Sequence, residues 1–510
     1  MHNEESLLTG ISRSISLVVV FTIVAKLLGF FREVLLAYYF GATGISDAYL
    51  VSQTIPGTIF QIVGTGLTTC FVPVFFKVKR EKGVDCSYGF VNTLLTLTLL
   101  FSLVVNLLVF FNTSTAVSLF APGFSNEVKD YAIIFTRINM VSLFFSSFLY
   151  VYTSLLQANN DFKTVVFSGI PYNLCLVMAI YAGAKLNIYL LSLFSSLAVL
   201  IQLLFLLKAS HSLGFRFRIS FDFGSDEIRH FVKLLGPVIL GVSVSELNIL
   251  IDRSLASMIV IGGISSLVYS NSIVQLVIGG VVQPVVTVCY PRITESVTER
   301  DFIGAKGVLS RYLYVLLGIL LPITIVFVVY GQPIVKLLFN HGVFDDKATL
   351  ATSQSVRWYS IGICFVGFQE FLSRFFYAHS DTKTPMVVAS VSVVTNIVLN
   401  IILSHLIGLK GLALSTSISA MVGFFLLYHL GNSKLRGGAI RFEFTRVSKI
   451  IFCAIVSIIP VYFFSKLLQV KNDFFFIVEI LMYFSFYFLI GSVLKLEIVQ
   501  FVSSLKKGKP

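Results

Sequence analysis

The chain has 510 residues, of which 56% are hydrophobic and only 12% are charged. Soluble domains carry about a quarter of their residues as charged side chains, so this composition excludes an ordinary soluble protein. The net charge of +13 does not indicate nucleic acid binding, because the basic residues lie in short stretches between apolar blocks and no aromatic-interleaved basic patch is present. Composition and charge together indicate a multi-pass membrane protein.

The apolar residues come in blocks of about 20, the length of a helix that spans a bilayer. They predict an all-α polytopic protein with about fourteen transmembrane helices. The first block continues into more membrane-like sequence, so we expect no cleaved signal peptide. The predicted spans are 14–40, 46–76, 88–111, 131–156, 163–184, 187–207, 230–258, 264–291, 311–331, 353–378, 384–405, 410–430, 447–465 and 474–494.

Lysine and arginine are distributed unequally between the two sides of these spans. With the N-terminus inside, the inner loops and adjoining span ends carry 25 basic residues and the outer ones carry 7, out of 38 in the chain. Cytoplasmic loops of membrane proteins are enriched in lysine and arginine. We therefore predict that both termini are cytoplasmic.

The two halves of the chain repeat at a constant offset of 220 residues. Between 137 and 164 the repeat gives seven identities in 28 positions, and three of them are charged residues, which are rare in this chain. Each copy contains six spans, an even number, so both copies enter the membrane from the same side, as in transporters with a substrate path between parallel repeats. The identical pairs are Arg137–Arg357, Phe145–Phe365, Phe148–Phe368, Ala158–Ala378, Asp161–Asp381, Lys163–Lys383 and Thr164–Thr384.

The repeat predicts a division into two six-helix lobes. The longest inner linker falls between them, and two further spans follow the second lobe. The predicted regions are 1–210 for the N-terminal lobe, 211–229 for the cytoplasmic linker, 230–432 for the C-terminal lobe, and 433–510 for two additional helices and a basic tail.

Charged residues inside the first two spans are the strongest functional signal. A charge near mid-membrane costs about 2.5–3.5 kcal/mol, so it usually faces a cavity or a partner. The first span carries Lys26, Arg32 and Glu33, and Asp47 begins the second. We predict that the two cations bind an anionic substrate and that the two acids balance them. The alternative for Arg32 and Glu33 is that they reach toward the headgroups from an interfacial position.

The seventh span carries a second set of charges, Glu246, Asp252 and Arg253. At offset 220, Asp252–Arg253 falls on Arg32–Glu33 with the charges in reversed order. We predict that Asp252 and Arg253 contribute to the same binding site, and that Glu246 and Asp252 are candidates for coupling to a cation. The alternative is pairing within the helix.

Two further features of the spans concern arginines. Arg137 and Arg357 lie near the outer ends of the fourth and tenth spans, where anchoring at the interface is one interpretation. Glu370 and Arg374 stand four residues apart and are predicted to pair.

The sequence shows no pattern typical of an enzyme, a metal site or a bound cofactor. Recognised catalytic and nucleotide-binding motifs are missing from the sequence, and the outer loops are too short to hold an active-site domain. The six cysteines form no CxxC pair, so neither a disulfide framework nor a zinc site is indicated. We predict a transporter that is not an enzyme.

Several segments resemble the MurJ/MviN family of lipid II flippases, within the multidrug/oligosaccharidyl-lipid/polysaccharide exporter superfamily. The likeness covers nearly the whole chain, and its most specific elements are the first-span pattern and GVSVS. The segments are KLLGFFRE (26–33), FGAT (40–43), SDAY (46–49), FVP (71–73), GPVILGVSVS (236–245) and DTKTP (381–385).

The resemblance implies that an undecaprenyl-pyrophosphate-linked peptidoglycan precursor moves from the inner to the outer leaflet of the bacterial cytoplasmic membrane by alternating access. It also implies that basic residues in a central cavity engage the pyrophosphate. The family's first-helix arginine pair corresponds to Lys26 and Arg32, the following acid to Glu33, and its second-helix aspartate to Asp47. Membrane lipids and a coupling cation are the other expected partners.

The sequence departs from the family pattern at two cationic positions. Many members carry an arginine in the second span, where this chain reads GTIFQ (57–61), and another in the eighth, where Ser272 stands. Lys26 also lacks the fork with which arginine binds phosphate oxygens bidentately. An exporter of another lipid-linked polysaccharide stays open, as do the less favoured drug/cation antiporter and membrane-embedded glycan polymerase.

Overall fold

A computed structural model describes residues 2–435, 442–468 and 475–500, with side chains from residue 17 onward apart from 465, 467 and 468. Within these ranges the chain is helical and has no β-strand, which confirms the predicted all-α class. The chain forms two compact units, Met1–Ser265 with Gly342–Phe344, and Ser266–His341 with Asp345–Pro510. The predicted basic tail lies outside the described residues.

The first unit consists of nine helices and the beginning of a tenth. They are α1 (His2–Phe40), α2 (Gly44–Phe111), α3 (Thr113–Phe120), α4 (Asn126–Asn139), α5 (Ser142–Ala158), α6 (Phe162–Phe167), α7 (Gly169–Lys185), α8 (Leu190–Ser212), α9 (Asp226–Ile259) and the start of α10 (Gly263–Val277).

The second unit takes the rest of α10 and the helices that follow. After a π-helical turn at Ile278–Val282 come α11 (Gln283–Thr298), α12 (Phe302–Phe339), α13 (Asp346–Ala378), α14 (Lys383–Ile407), α15 (Leu409–Lys434), α16 (Phe444–Val456), α17 (Ile458–Leu468) and α18 (Phe475–Val493).

The boundary between the two compact units lies after Ser265, so α9 belongs to the first unit. Helix α9 packs along α2 inside the first unit. Gly66 of α2 allows the close approach, because a Cβ at this position would lie 2.4 Å from Leu235 Cδ1 of α9. Small residues permit such contacts between membrane helices. The division at 211–229 rests on the sequence repeat and stays a prediction.

The helices are long and apolar enough for a multi-pass membrane protein. Among the described residues, ten helices could cross a bilayer by length and composition, or eleven if the pair α4 and α5, bent by 45°, forms one span. The predicted count of fourteen is therefore not confirmed. Part of the difference is α2, whose 68 residues contain two predicted spans.

The predicted loop between the second and third spans is largely helical. It contains lysine, arginine and glutamate, which favour helix. The helices of the second and third predicted spans therefore both continue into this segment, and together they form α2. The extension is interrupted at Gly83, whose φ of 88° suits glycine because it has no Cβ. On this segment Lys82 Nζ pairs with Glu227 Oε1 of α9 at 2.5 Å.

The sequence repeat is reproduced in local backbone structure. Asn160 and Ser380, at offset 220, both have positive φ, 61° and 58°. The aspartate that follows each one caps the next helix, since Asp161 accepts a hydrogen bond from Thr164 N at 3.1 Å and Asp381 from Thr384 N at 3.0 Å. The segments 161–164 and 381–384, both of the pattern Asp-x-Lys-Thr, are thus two copies of one helix-starting turn.

The turn at Asp381 is reinforced by an ion pair, whereas Asp161 makes none with the described residues. Lys434 of α15 pairs with the Asp381 carboxylate. The charge and hydrogen bond of Lys434, and then the Thr384 N–H, hold the pKa of Asp381 well below its usual range. Because the pKa is lowered on folding, this stabilisation is complete above the ordinary carboxyl pKa and is lost as the pH falls toward the lowered value.

We expect Asp381→Ala to destabilise the protein more than Asp161→Ala. Loss of a helix cap costs about 1 kcal/mol, and loss of a partly exposed ion pair adds up to about 1 kcal/mol. The thermal denaturation midpoint of the purified protein in detergent measures both variants. At pH 7 the two midpoints should differ, and at pH 3 the difference should shrink; equal midpoints at pH 7 would contradict the role of Lys434.

Candidate functional site

Arg32 and Glu33 of α1 form an ion pair between adjacent residues. The Arg32 guanidinium pairs with Glu33 Oε1, and the side chains are 25% and 9% exposed. Tyr49 of α2 and Tyr172 of α7 lie within electrostatic range of the guanidinium. Glu33 Oε2 is buried and has no hydrogen-bond partner among the described residues. Arg32 is therefore a compensated cation held where three helices of the first unit meet.

Neutral polar side chains surround this ion pair and fix Tyr49. The Tyr49 hydroxyl lies 2.8 Å from Ser195 Oγ of α8, and Gln53 Nε2 donates a hydrogen bond to it at 2.7 Å. Tyr49 is 2% exposed. Tyr49, Gln53 and Ser195 escaped the sequence analysis, because uncharged polar residues are common throughout the spans and none stands out.

Lys26 lies on the same helix but in different surroundings. It is exposed, and the neighbouring Ile23 and Leu27 are 51% and 56% exposed. In the described part of the chain Lys26 has no ion pair or hydrogen bond. This amine is therefore a cation whose charge the protein does not neutralise, six residues before Arg32.

Asp47 is buried and accepts three hydrogen bonds from the first turn of α10 and from Gly262, the residue before it. Its Oδ1 accepts from Ser265 N and Ser265 Oγ, both at 2.7 Å, and its Oδ2 accepts from Gly262 N at 2.8 Å. Arg253 of α9 acts on the Asp47 carboxylate electrostatically, and its Nη1 donates to Ile264 O at 3.5 Å. Asp47 thus fixes the start of α10, and the structure brings it together with Arg253.

Glu246 of α9 lies in a second polar group of the first unit. The Thr58 hydroxyl of α2 donates a hydrogen bond to its carboxylate, and the glutamate is 7% exposed. Tyr150 of α5 is close to Glu246 and donates to Gln61 Oε1 at 2.9 Å. Neither lysine nor arginine pairs with Glu246 within the described ranges, so the carboxylate has neutral partners only.

The predicted site residues all fall in the first unit. Arg32 is paired with Glu33, and Arg253 acts electrostatically on Asp47, whereas Lys26 and Glu246 take part in neither interaction. Asp252 is half-buried on α9. The predicted pairing of Glu370 and Arg374, in the second unit, is confirmed by a contact of 3.8 Å between Arg374 Nη2 and Glu370 Oε2. The substrate-binding roles stay predictions.

One buried acid of the second unit was missed, although the sequence contained a signal for it. Glu479 of α18 is 8% exposed and accepts a hydrogen bond from Tyr330, at the point where α12 departs from helical geometry. A single carboxylate with apolar sequence on both sides could have been singled out in the same way as Glu246.

Known proteins match this chain over most of its length. The family model described as lipid II flippase MurJ matches residues 36–483. A probable lipid II flippase MurJ of Buchnera aphidicola subsp. Baizongia pistaciae is 27% identical over 413 residues, 80% of each chain. The probable lipid II flippase MurJ of Thermotoga maritima is 28% identical over 415 residues, 80% of this chain and 82% of that one.

Solved structures share the fold. A lipid II flippase MurJ in an inward closed conformation has a TM-score of 0.83 at 24% identity, covering 94% of this chain and 98% of that chain. An inward-facing multidrug transporter of the MATE family, in the MOP superfamily, has a TM-score of 0.69 at 12% identity, covering 81% and 98%.

The apolar helices and the charges buried among them define a multi-pass membrane protein, with the fold that these solved structures share. Because the family model covers most of its length, the chain belongs to the MurJ family of lipid II flippases. The family resemblance seen in the sequence is confirmed.

We expect Asp47→Ala to cost more stability than Ser265→Ala. The first change leaves the N–H groups of Gly262 and Ser265 without the acceptor that Asp47 provides, at about 1–3 kcal/mol for each buried donor, while the Ser265 hydroxyl can still donate to Gly262 O. The second change removes one hydroxyl and leaves the backbone bonds to Asp47 intact. Thermal denaturation in detergent compares the two variants. A midpoint for Asp47→Ala equal to that of the wild-type protein would contradict the structural role and favour a role in binding.

Proposed function

We propose that this protein is a lipid II flippase, which moves an undecaprenyl-pyrophosphate-linked peptidoglycan precursor from the inner to the outer leaflet of the bacterial cytoplasmic membrane. The observation that carries the proposal is the pair of cations on α1, at the positions that correspond to the arginine pair of the MurJ family. The names of the relatives supply the substrate. Peptidoglycan synthesis and cell shape would depend on this activity.

The two cations differ in what they offer a diphosphate. Arg32 is already paired with Glu33, so an incoming anion has to compete with a neighbouring carboxylate. Lys26 has a free charge and an exposed side chain. An ammonium is a compact point charge with three donors, so we infer that Lys26 makes the first contact with the diphosphate and that Arg32 contributes its remaining donors afterwards.

The two acids of α9 are the candidates for coupling transport to a cation. A charged carboxylate that is buried with neutral partners is costly. Glu246 is therefore expected to take up a proton or another cation, while the half-buried Asp252 is a second candidate. The membrane potential is a further source of energy, since one charge crossing 100 mV gains about 2.3 kcal/mol. Alternating access would couple these events to movement of the lipid.

The topology belongs to the proposal as well. The excess of basic residues on one side supports cytoplasmic termini, and the 220-residue repeat supports two lobes divided near 211–229, with the residues after 433 as an addition. With this orientation Lys26, in the first half of the first predicted span, is nearer the cytoplasmic side than Arg32. This is the side from which the precursor would enter.

An exporter of another lipid-linked polysaccharide is the second candidate function. It is favoured by Ser272 and by the uncharged segment 57–61, which stand where many family members have arginines. The drug/cation antiporter and the glycan polymerase are less supported, and the family is a transporter family. Binding of the purified protein to lipid II, compared with other polyprenyl-linked glycans, distinguishes the two leading functions.

We expect Lys26→Ala and Arg32→Ala to impair rescue of a strain depleted of its own lipid II flippase. Loss of one hydrogen bond to a charged group costs about 1.5–3 kcal/mol, roughly tenfold or more in affinity. Lys347→Ala removes an exposed cation and is the matched control, while Lys26→Arg should retain function. Full rescue by both alanine variants would refute the cationic binding site.

We expect Glu246→Gln to alter the dependence of transport on pH or cations, because the amide keeps the Thr58 hydrogen bond but has no charge to gain or lose. Transport into liposomes at different pH values and cation gradients measures the effect. Glu479→Gln, a change at another buried glutamate, is the control and should leave the dependence as it is. An unchanged dependence in Glu246→Gln would remove this residue from coupling.

A further inference from the structure

Arg357 of α13 is unusual among the arginines of the membrane helices. Three other arginines have a carboxylate partner, as in Arg32 with Glu33, Arg374 with Glu370 and Arg446 with Glu443. Arg357 makes no ion pair or hydrogen bond in the described part of the chain, and its Nε is buried without a partner.

The stem of Arg357 is held by a glycine on the neighbouring helix. A Cβ built at Gly331 of α12 would lie 3.2 Å from Arg357 Cγ and 3.6 Å from its Nε. Position 331 therefore leaves the space that the side chain occupies. The stem and the Nε are enclosed between α12 and α13, so the terminal guanidinium nitrogens are the part that remains to meet a ligand.

The surroundings of Arg357 place it at the edge of the apolar region. It belongs to one stripe of α13 with Leu350, Gln354 and Ile361, at helical spacing, and Leu350 and Ile361 are 48% and 41% exposed. Arg357 stands eleven residues after the start of α13, about 16 Å along the helix. The only tryptophan of the chain, Trp358, follows it, and tryptophan is enriched where membrane meets water.

The repeat provides a comparison in the first unit. Arg137, the counterpart at offset 220, also lies on an exposed stripe, between Ile134 and Val141. Its guanidinium carbon lies 5.3 Å from the centre of the Phe110 ring, a cation–π contact that compensates part of the charge. Arg357 is more enclosed and has no such ring.

We propose that Arg357 binds a phosphate group carried by a lipid, with the terminal nitrogens of the guanidinium on two phosphate oxygens. A planar guanidinium matches phosphate in this bidentate geometry, and an anion supplied from outside would balance the charge that the protein leaves uncompensated. The phosphate could come from a bilayer lipid or from the diphosphate of a polyprenyl lipid. Arg357 is not among the cations and acids that we propose for the flippase function. The Arg357 site therefore does not depend on that function.

The fluorescence of Trp358 reports on this site alone, since the chain has no other tryptophan. We expect phosphatidylglycerol, titrated into delipidated full-length protein in an uncharged detergent, to change the emission saturably, and diacylglycerol to leave it unchanged. Arg357→Gln should weaken binding at least tenfold. Arg137→Gln is the matched control and should bind as the wild type does. An equal response of wild type and Arg357→Gln, or to diacylglycerol, would overturn the proposal.

Two further probes distinguish the sources of the phosphate. A response to undecaprenyl diphosphate at lower concentration than phosphatidylglycerol assigns the site to polyprenyl lipids, and the reverse order assigns it to bilayer lipids. A response to inorganic pyrophosphate at the same concentrations would show that no lipid is required and would overturn the proposal. Gly331→Val keeps the charge but displaces the stem of Arg357, so it should also weaken binding; unchanged affinity in this variant would count against the site.

Discussion

Placing a charge in the hydrocarbon of a bilayer costs about 2.5–3.5 kcal/mol on insertion scales, and the first unit offsets this cost in different ways for Arg32 and Asp47. Arg32 is paired with its neighbour Glu33. Asp47 receives three hydrogen bonds and the charge of Arg253. Lys26 stands outside this compensation. The bonds of Asp47 connect α2 to the start of α10, whereas Lys26 makes no ion pair or hydrogen bond with the described residues.

This distinction separates residues that sequence reasoning treated alike. Asp47 and Glu33 both appear as acids balancing a cationic cavity, yet Asp47 accepts three hydrogen bonds that fix the start of α10, whereas Glu33 keeps one buried oxygen without a partner among the described residues. Loss of a carboxylate that accepts three hydrogen bonds acts first on stability. Glu33 acts on Arg32 directly, so it adjusts how strongly that guanidinium attracts an anion.

Sequence alone predicted what depends on short-range pattern and missed what depends on packing. The pairing of Glu370 with Arg374 and the all-α class follow from spacing and composition. The contact of Glu246 with Thr58 does not, because it requires α9 to lie along α2, and that approach depends on the space at Gly66 opposite Leu235. The helical segment around Gly83 was also missed, because a run of charged residues between apolar blocks is equally typical of a loop and of an exposed helix.

Because α9 belongs to the first unit, the functional interpretation of the sequence repeat changes. Arg32–Glu33 and Asp252–Arg253 are related at offset 220, but both lie in the first compact unit, so the charges proposed for cargo binding and for coupling share one packed body. Arg253 acts on Asp47 within that body, and Asp47 is two residues from Tyr49, which lies within electrostatic range of Arg32. Helix α2 therefore carries both a residue on which a charge of α9 acts and a residue within electrostatic range of Arg32 on α1. If a change of charge on α9 reaches Arg32, the side chains of α2 are the nearest intermediates.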